Sequence, residues 1–435
     1  MKINVMGLGK LGFPMAMFLT KSNYKIQCHD ISKNLTNDLK RKVNDYLPHE
    51  SGLKKYLKRV KYLKIFENPI NSLKECDISF ITVPTPSLKS GKFSNKNIIN
   101  VLKTIAEYIK YYRRKTNPFI ININSTVSPG SFDDELKPFM KKMGLVEDID
   151  YIFVYNPYFV ALGDVLSTLE NPDFILIGRS NRRAVKTLKK IYKTIYTKPN
   201  LKEMSLKEAE LTKLLINCYL TSKISFTNFV KEIGEQFKID SVANILDAIG
   251  SDKRIGKNYL SSGGPFSGPC FPRDNMALKN FCNELNVKPL LPITTQNINL
   301  NTFNKYCKII RILKKKKIKN IGFLGIAYKA RTDFLDHSTT MRLIKKSEQL
   351  KLNIFYYDKY ITKKKINHQR CKTIKDLIEK TEVVYISYPD KEFKKIEKLK
   401  SKNKKIYIWD NFDFISSKKI NKFTNLSSFL NLKKN

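Results

Sequence analysis

The chain has 435 residues, of which 42% are hydrophobic and 11% aromatic, and its formal net charge is +42. This length supplies two or three domains with separate cores, and the composition excludes an intrinsically disordered chain. No apolar run approaches the ~18 residues that a membrane-spanning helix needs. Since nothing resembling a leader precedes the first predicted strand, we expect a soluble, cytoplasmic protein without a membrane partner.

The positive charge permits a nucleic acid or an anionic surface as partner. However, the lysines are spread along the whole chain, and we interpret the clusters Lys314–Lys317 and Lys363–Lys365 as solvated faces. Because no basic stripe with interleaved aromatic residues is found, we predict no nucleic-acid partner. The charge instead favours a polyanionic small molecule.

The seven cysteines and four histidines, His49 among them, are scattered along the chain without any C-x-x-C pair. This spacing argues against a disulfide framework and against a metal site. We therefore predict no metal ion.

Short apolar runs alternate with amphipathic stretches over the first part of the chain, which predicts parallel β-α-β units in a doubly wound sheet. The predicted strands are Ile3–Met6, Lys25–Cys28, Ile78–Val83, Phe119–Ile123, Tyr151–Val154 and Phe174–Ile177. Helical patterns between them include Asn97–Tyr112 and Arg183–Tyr196.

A long helical series runs from Met204 to Phe237 and begins an all-helical segment that ends near residue 311. Such a helix either pairs subunits or packs within one chain, and the sequence leaves both open. A second alternating region follows, with strands predicted at Ile321–Leu324, Ile354–Tyr357, Val383–Ile386 and Ile406–Trp409. We predict an α/β chain of two doubly wound Rossmann-like domains, residues 1–199 and 312–435, joined by a central helical segment, residues 200–311, with a long spine helix.

The sequence Gly7-Leu8-Gly9-Lys10-Leu11-Gly12 follows the first strand and opens a helix, as a dinucleotide-binding G-x-G-x-x-G motif requires. Asp30 ends the second strand, where a carboxylate binds the ribose hydroxyls and favours NAD over NADP; it also suits a helix N-cap. Two loops that follow later strands contribute Thr85, Pro86 and Thr126. We predict NAD as the cofactor, bound by Gly7, Gly9, Leu11, Gly12, Asp30, Thr85, Pro86 and Thr126.

Cys270 lies in a glycine- and proline-rich segment, Gly263–Asp274, that ends in a cation and a carboxylate. Here the backbone can approach a ligand closely, and Arg273 favours the reactive thiolate. The alternative is a buried small hydrophobe. With NAD, a reactive thiol suggests aldehyde oxidation through a thiohemiacetal and a thioester that water hydrolyses. We add Arg273 to the predicted NAD-binding residues.

Lys213 and Asn217 are one turn apart on the predicted spine helix and share a face. An ammonium and an amide suit the developing charge of an oxyanion; alternatively, Lys213 is one of many surface lysines. Asp274 either orients Lys213 or a water, or caps a helix that begins at Asn275.

In these motifs the chain resembles the UDP-glucose/GDP-mannose dehydrogenase family over essentially its whole length. The matching segments are Gly7–Gly12, Val83–Ser87, Ser125–Gly130, Asn156–Gly163, Asn171–Asp173, Glu208–Asn228, Arg254–Gly256, Gly263–Leu278 and Gly325–Ser338. The resemblance implies oxidation of a nucleotide-diphospho-sugar at C6, from alcohol to aldehyde to carboxylate, with two NAD. It also implies an N-terminal NAD domain, a helical core that forms a homodimer, and a C-terminal domain that binds the nucleotide sugar.

The resemblance also assigns roles to single residues. It implies that Cys270 is the nucleophile and that the other catalytic positions are Lys213, Asn217, Asp274 and Thr126. According to the resemblance, Arg254 corresponds to the family's arginine that reaches the substrate across the dimer. Lys329 corresponds to the lysine of the C-terminal domain that contacts the nucleotide sugar. The predicted substrate-binding residues are Tyr158, Phe159, Lys213, Asn217, Arg254, Tyr259, Gly263 and Lys329.

Three positions depart from the family pattern. Tyr158 replaces the glutamate of Asn-Pro-Glu-Phe, and a tyrosine with a pKa near 10 is a poor general base. Leu162 replaces a second acidic residue, and Asp336 replaces an arginine that contacts NAD. Two hypotheses follow: an active dehydrogenase in which Asp274 or a water held by Thr126 supports hydrolysis, or a protein that binds NAD and nucleotide sugar with impaired turnover.

Overall fold

The computed structural model describes residues 1–33, 36–37, 50, 52–114, 116–160, 162–239, 241–261, 263–361, 366–399, 406–412, 414–415 and 423–425. It divides into two compact units, Met1–Leu215 and Ile216–Asn435. His49 and Lys363–Lys365 lie outside the described residues, whereas Lys314–Lys317 are exposed. None of the helices in the described ranges is long and apolar enough to cross a membrane.

In the described part of the first unit the sheet has eight strands: β1 (Lys2–Met6), β2 (Lys25–His29), β3 (Leu63–Ile65), β4 (Cys76–Ile81), β5 (Phe119–Ile123), β6 (Tyr151–Tyr155), β7 (Ile175–Arg179) and β8 (Leu201–Ser205). Their order is β3-β2-β1-β4-β5-β6-β7-β8. The first six reproduce the 3-2-1-4-5-6 order of the dinucleotide-binding fold. Only the β6–β7 pair is antiparallel in this sheet, as far as the described residues extend.

The helices of the first unit cover both faces of this sheet with two apolar cores. They are α1 (Gly12–Leu19), α2 (Leu53–Tyr56), α3 (Pro69–Leu73), α4 (Lys96–Tyr111), α5 (Lys137–Lys142), α6 (Val165–Glu170) and α7 (Arg182–Lys193), with 3-10 turns at Thr20–Ser22 and Leu57–Tyr62 and a π turn at Phe132–Leu136. All eight residues of α1 are buried, which fixes the start of this helix against the sheet.

Among its described residues, the middle of the chain contains four helices: α8 (Leu206–Gln236), α9 (Val242–Ser251), α10 (Phe271–Glu284) and α11 (Leu290–Lys315). The spine helix predicted from Met204 to Phe237 is thus confirmed as α8. The helix predicted to begin at Asn275 begins instead at Phe271, because Pro272 is suited to the first turn of a helix.

The second unit contains a six-stranded parallel sheet: β9 (Asn320–Leu324), β10 (Asn353–Tyr357), β11 (Gln369–Arg370), β12 (Val383–Ile386), β13 (Ile406–Trp409) and β14 (Phe423–Asn425). The order β11-β10-β9-β12-β13-β14 is again 3-2-1-4-5-6. Helices α12 (Thr339–Gln349) and α13 (Ile374–Lys380) and the 3-10 segment Lys391–Lys398 accompany it. The predicted fold class, two doubly wound domains joined by a helical segment, is confirmed.

The two sheets use the same hydrogen bond in their first turn. In the first unit the amide of Leu8 donates to Oδ2 of Asp30 at 2.7 Å, and in the second the amide of Ile326 donates to Oδ2 of Asp358 at 2.8 Å. The hydroxyl of Tyr388 also donates to Asp358 Oδ2, at 3.1 Å. Asp358 is consequently fully buried, whereas Asp30 remains partly exposed.

Candidate active site

The glycine-rich turn after β1 has the geometry that a bound dinucleotide requires. Gly7 has a φ of +92°, and a Cβ there would lie 2.8 Å from the carbonyl oxygen of Thr82. A Cβ on Gly12 would lie 1.9 Å from the carbonyl oxygen of Gly7, so α1 approaches the turn too closely for any side chain. A Cβ on Gly9, by contrast, would meet nothing within 4 Å, which leaves open space where a pyrophosphate would approach the backbone.

The groups around this turn also fit NAD. Leu11, at the N-cap of α1, supplies no side-chain cap, so the first amides of the helix are suited to a phosphate. The carboxylate of Asp30 accepts hydrogen bonds from the amides of Leu8 at 2.7 Å and Ser32 at 2.8 Å. Each carboxylate oxygen has a further lone pair, with which partly exposed Asp30 can accept a ribose hydroxyl.

Two predicted NAD-binding loops are joined at the carboxyl ends of the adjacent parallel strands β4 and β5. The hydroxyl of Thr85 donates to the carbonyl of Thr126 at 2.7 Å, and the hydroxyl of Ser125 donates to the carbonyl of Val83 at 2.7 Å. Pro86 is exposed beside them. This edge is where doubly wound sheets bind their ligands.

Glu210, on α8, ties the loop of Thr126 to the helix that carries Lys213. Its fully buried carboxylate accepts hydrogen bonds from the amides of Gly130 at 2.8 Å and Phe132 at 3.0 Å. Burial raises the pKa of Glu210 to about 7, although these two hydrogen bonds act in the opposite direction. Sequence reasoning did not single out this residue; the signal was a carboxylate on an apolar stretch of helix one turn before Lys213.

Lys213 is buried, with 8% of its surface exposed, so the alternative of an ordinary surface lysine is wrong. Its Nζ donates a hydrogen bond to the main-chain carbonyl of Tyr158 at 2.6 Å. It also lies 4.4 Å from the centre of the Phe159 ring, which itself contacts Phe174 at 5.1 Å between ring centres. Both contacts favour the charged ammonium.

The residues that depart from the family pattern have clear places in the structure. The hydroxyl of Tyr158 lies 3.3 Å from that of Tyr192, which donates a hydrogen bond to Oδ1 of Asn156. Burial raises the pKa of Tyr158 to about 12, so this phenol is not a base at neutral pH. Leu162 packs against the core of the first unit, and Asp336 is exposed.

Cys270 is exposed and occupies the N-cap position of α10. The alternative of a buried small hydrophobe is therefore wrong. The amino end of a helix carries partial positive charge, which favours a thiolate over a thiol. This 14-residue helix thus adds to the cationic effect expected from Arg273.

Asp274 lies within the first turn of α10 and does not cap a helix, which corrects the cap interpretation. Its carboxylate is 1% exposed and accepts hydrogen bonds from Nδ2 of Asn217 at 2.6 Å and from Nε of Arg273 at 3.3 Å. The thiol of Cys218 donates to its carbonyl at 3.4 Å. Asp274 therefore orients the side chain of Asn217.

The glycine-rich segment before Cys270 is packed closely against two aromatic rings. Gly268 has a φ of +84°, and a Cβ there would lie 2.5 Å from the ring of Tyr328. The amide of Gly268 donates to the carbonyl of His337 at 3.2 Å. A Cβ on Gly263 would lie 2.4 Å from the ring of Phe412. Only glycine fits at these two positions without displacement of a neighbour.

The remaining predicted substrate-binding residues are accessible to different degrees. Arg254 is exposed and forms a two-point ion pair with Asp252, at 3.1 Å and 2.6 Å. Tyr259 has a φ of +63° and is exposed, with its ring 6.3 Å from that of Phe271. Lys329 is half-buried. Their roles stay predictions.

Three domain models of one family match successive parts of the chain. The NAD binding domain of the UDP-glucose/GDP-mannose dehydrogenase family matches residues 1–196. The central domain of the same family matches residues 207–302, and its UDP binding domain matches residues 322–417.

Individual relatives agree with this assignment. YtcA of Bacillus subtilis (strain 168) is 32% identical over 361 residues, which are 82% of this chain and 81% of YtcA. The UDP-glucose 6-dehydrogenase of Rickettsia prowazekii is 29% identical over 79% of this chain and 77% of its own. A structure of a UDP-glucose dehydrogenase from Pyrobaculum islandicum has the same fold, with a TM-score of 0.84, 22% identity and coverage of 98% of this chain and 97% of that one. The chain belongs to the UDP-glucose/GDP-mannose dehydrogenase family, whose members are NAD-dependent oxidoreductases.

Proposed function

We propose that this chain oxidises C6 of a nucleotide-diphospho-sugar from alcohol to carboxylate, with Cys270 as a covalent nucleophile. The observation that carries the proposal is the position of Cys270, exposed at the amino end of α10. The same helix carries Asp274, whose buried carboxylate holds Asn217. A structural cysteine has no need of either feature.

The proposed chemistry balances as two oxidations and one hydrolysis. The alcohol first loses a proton and a hydride to give an aldehyde. The thiolate of Cys270 then adds to C6, forming an S–C bond and an alkoxide; loss of a second hydride gives the thioester. Water adds to this carbon, the S–C bond breaks, and the thiolate leaves as the carboxylate forms. When bound, NAD supplies the acceptor for both hydrides, so one sugar requires two NAD and one water.

Four side chains are assigned roles in these steps, two of them toward the negative charge that develops. Lys213 and Asn217 are proposed to donate hydrogen bonds to the oxygen on C6, which is negative in the alkoxide. Asp274 is proposed to keep the amide of Asn217 directed for this task through their 2.6 Å hydrogen bond. Thr126 is proposed to hold the hydrolytic water.

The substrate is proposed to be bound through Phe159, Arg254, Tyr259, Gly263 and Lys329, in addition to the catalytic residues. Tyr158 is the last of the proposed substrate-binding residues, and its main-chain carbonyl accepts a hydrogen bond from the Lys213 ammonium. The net charge of +42 supports an anionic substrate, because it attracts a nucleoside diphosphate from solution. The division into an NAD-binding domain (1–199), a central domain (200–311) and a nucleotide-sugar domain (312–435) is part of the proposal.

The second candidate function is a dehydrogenase whose turnover is impaired at hydrolysis. It is favoured by the buried Tyr158 hydroxyl, whose pKa near 12 leaves no base at the position of the family's glutamate. Such an enzyme would accumulate an acyl group on Cys270. Mass spectrometry of the enzyme mixed with limiting substrate and excess NAD distinguishes the two functions. An active dehydrogenase returns to free Cys270 once the substrate is consumed, whereas the impaired enzyme keeps the acyl group after NADH formation has stopped.

We also propose a homodimer that pairs through α8. Large apolar residues on this helix are exposed at Leu215, Tyr219, Phe226, Phe229 and Ile233, followed by Phe237 one residue beyond its end. Intervals of three, four and seven residues put them on one face of the helix. An exposed apolar stripe of this length is typical of an interface.

A cytoplasmic location is proposed as well. The structure contains no disulfide among its described residues, which is usual for a protein in a reducing compartment.

The test of the proposed function is a panel of nucleotide sugars mixed with NAD, in which NADH formation is followed by absorbance. At least one UDP or GDP sugar should give two NADH per uronic acid. The Cys270→Ser variant should form no acid while it still binds the nucleotide sugar. Undiminished acid formation by Cys270→Ser would contradict the covalent route.

A further inference from the structure

The turn that follows β6 uses the two ends of Tyr158 for different purposes. Its main-chain carbonyl accepts a hydrogen bond from Nζ of Lys213 at 2.6 Å. Its partly buried side chain packs against the apolar core of the first unit, and its hydroxyl is 3.3 Å from that of Tyr192 on α7. The side chain and the carbonyl therefore connect two helices, α7 and α8, through one residue.

The hydrogen bonds of this phenol run in one direction and end at a fixed group. The hydroxyl of Tyr192 uses its only hydrogen in the bond to Oδ1 of Asn156, so in the contact with Tyr158 the Tyr158 hydroxyl donates and the Tyr192 oxygen accepts. Asn156 is itself held, since its Nδ2 donates to the carbonyl of Leu176 at 2.7 Å and its carbonyl accepts from Nδ2 of Asn124 at 2.6 Å. These hydrogen bonds connect the Tyr158 side chain, through Tyr192, to Asn156, which is itself bonded to Leu176 and Asn124. The turn after β6 is therefore anchored to the sheet.

Lys213 depends on this turn for its position. Its buried ammonium meets the carbonyl of Tyr158 on one side and the ring of Phe159, the next residue, at 4.4 Å. A turn that shifts therefore moves both contacts together. When these partners move away, the charged form of a buried ammonium becomes less stable relative to the neutral amine, because water does not fully replace the lost contacts.

We propose that Tyr158 is a positioning residue for the reaction: its hydroxyl, bonded to Tyr192, fixes the turn whose carbonyl and Phe159 ring hold the ammonium of Lys213. This inference rests on the proposed function for the catalytic role of Lys213. It gives the phenol at position 158 a task that is neither acid–base chemistry nor direct binding of the sugar.

The experiment compares three variants that each remove one hydroxyl. Tyr158→Phe and Tyr192→Phe break the chain of hydrogen bonds. Tyr196→Phe is the matched control, because its hydroxyl is on the same segment as Tyr192 but bonds to the carbonyl of Leu169. Lysine reactivity is measured by pulses of acetic anhydride between pH 7 and 11, with peptide mass spectrometry of Lys213 and of exposed Lys207, whose side chain is 71% exposed.

In Tyr158→Phe and Tyr192→Phe we expect the pH of half-maximal labelling of Lys213 to fall by at least 0.5 unit, while Lys207 is unchanged. The value of kcat should fall at least five-fold in both variants, with KM for the sugar changed less than two-fold. Tyr196→Phe should leave both quantities at the wild-type value, even where it lowers the unfolding temperature.

An unshifted labelling curve in Tyr158→Phe, or an equal shift in Tyr196→Phe, would overturn the positioning role. The labelling requires no substrate, so it decides this inference even if no nucleotide sugar is oxidised. Failure of the wild-type protein with every sugar in the panel contradicts the proposed function alone. An active enzyme whose Lys213 labels identically in all variants contradicts the positioning role alone.

Discussion

The side-chain amide of Asn217 donates a hydrogen bond to the buried carboxylate of Asp274 at 2.6 Å, which joins α8 to α10 four residues after Cys270. The carboxylate is 1% exposed, and Arg273 holds its other oxygen. An acceptor that carries charge and is removed from water depends strongly on each donor. The geometry of the proposed nucleophile is therefore coupled to the spine helix.

Breaking this pair should be costly to the fold. We expect Asn217→Ala to lower the free energy of unfolding by about 1.5–3 kcal/mol, because it leaves a buried charge with one donor fewer. A double-mutant cycle with Asp274→Ala, measured by urea denaturation, gives the coupling energy directly. The partly exposed i,i+4 pair Asp376–Lys380 is the control. Equal coupling in the two pairs would contradict the importance assigned to the Asn217 bond.

The two equivalent aspartates should respond differently to substitution. Asp30→Ala should raise the Kd for NAD about ten-fold, since it removes a charged acceptor that is partly exposed at the glycine turn. Asp358→Asn should lower the stability of the second unit, because this carboxylate accepts hydrogen bonds from Ile326 and Tyr388. It should leave the Kd for NAD within two-fold, because these internal bonds occupy the carboxylate and it is not proposed to contact NAD. Titration calorimetry with NAD checks both values. Similar losses in the two variants would argue against Asp30 as the ribose ligand.

Glu210 should make stability depend on pH near neutrality. Its folded-state pKa, about 7, is above the usual 4.5, so the folded protein binds the proton more tightly. This contribution to stability is complete below about pH 4.5 and is lost as the pH rises through 7. Between these values the free energy of unfolding should fall more steeply than in Glu210→Gln, by up to about 1.4 kcal/mol per pH unit.

Urea denaturation from pH 5 to 8 measures the effect of Glu210. Exposed Glu208, two residues away on α8, is the control, since hydrogen bonds to Ser205 lower its pKa and its titration lies below this range. Glu208→Gln should therefore retain the wild-type slope. Parallel curves for Glu210→Gln and the wild type would show that Glu210 does not titrate there.

The segment before Cys270 should reject even a methyl group. Gly268→Ala adds a Cβ 2.5 Å from the Tyr328 ring in a left-handed backbone, whereas Gly256→Ala has the same backbone preference in open space. We expect both to lose about 1–2 kcal/mol through backbone strain, and only Gly268→Ala to lose more through the collision and to reduce kcat more than ten-fold. Chemical denaturation and NADH formation measure the two effects. Equal behaviour would mean that the Tyr328 contact is readily displaced.

The apolar stripe of α8 should control the oligomeric state. Phe229→Asp puts a charge where we propose that two copies meet, and burial of one phenylalanine contributes about 1.5–3 kcal/mol. Sedimentation velocity should show about twice the chain mass of 50.6 kDa for the wild type and the single mass for the variant. Ile149→Asp, which alters an exposed apolar residue of the first unit, should remain a dimer. A wild-type monomer would contradict the dimer outright.

Most of the architecture was predictable because the buried parallel strands are continuous apolar runs. Val383–Ile386 and Ile406–Trp409 have the predicted bounds in the structure. The strands that sequence reasoning missed lack this pattern. β8 reads Leu-Lys-Glu-Met-Ser, with three of its five residues exposed, and β11 consists of only Gln369 and Arg370. Pairing with a neighbouring strand, rather than apolar burial, defines them.

The antiparallel direction of β7 was also not expected from the alternating pattern. The connection from β6 contains one helix, α6, of six residues, which spans about 9 Å. A five-residue strand is about 17 Å long, so this helix cannot carry the chain back along it. The chain enters β7 from the same edge at which it left β6, as the antiparallel pairing of the two strands shows.

At the candidate site, residue types and motif order identified the groups but not their orientation. The sequence could not indicate that the phenol of Tyr158 turns into the core while its carbonyl binds Lys213. It also could not reveal the partners of Glu210, because Gly130 and Phe132 are about 80 residues away in the chain. Such contacts depend on how helices pack, which a single sequence does not specify.

The contrast between Asp30 and Asp358 has a consequence for how the molecule responds to heat. In the second sheet, the hydroxyl of Tyr388 donates a hydrogen bond to Asp358 from within the chain. In the first sheet, the corresponding hydrogen bond to Asp30 is expected to come from a ribose hydroxyl of bound NAD. Saturation with NAD should consequently protect one half of the protein more than the other. Melting curves that coincide without cofactor would then separate into two transitions as its concentration rises.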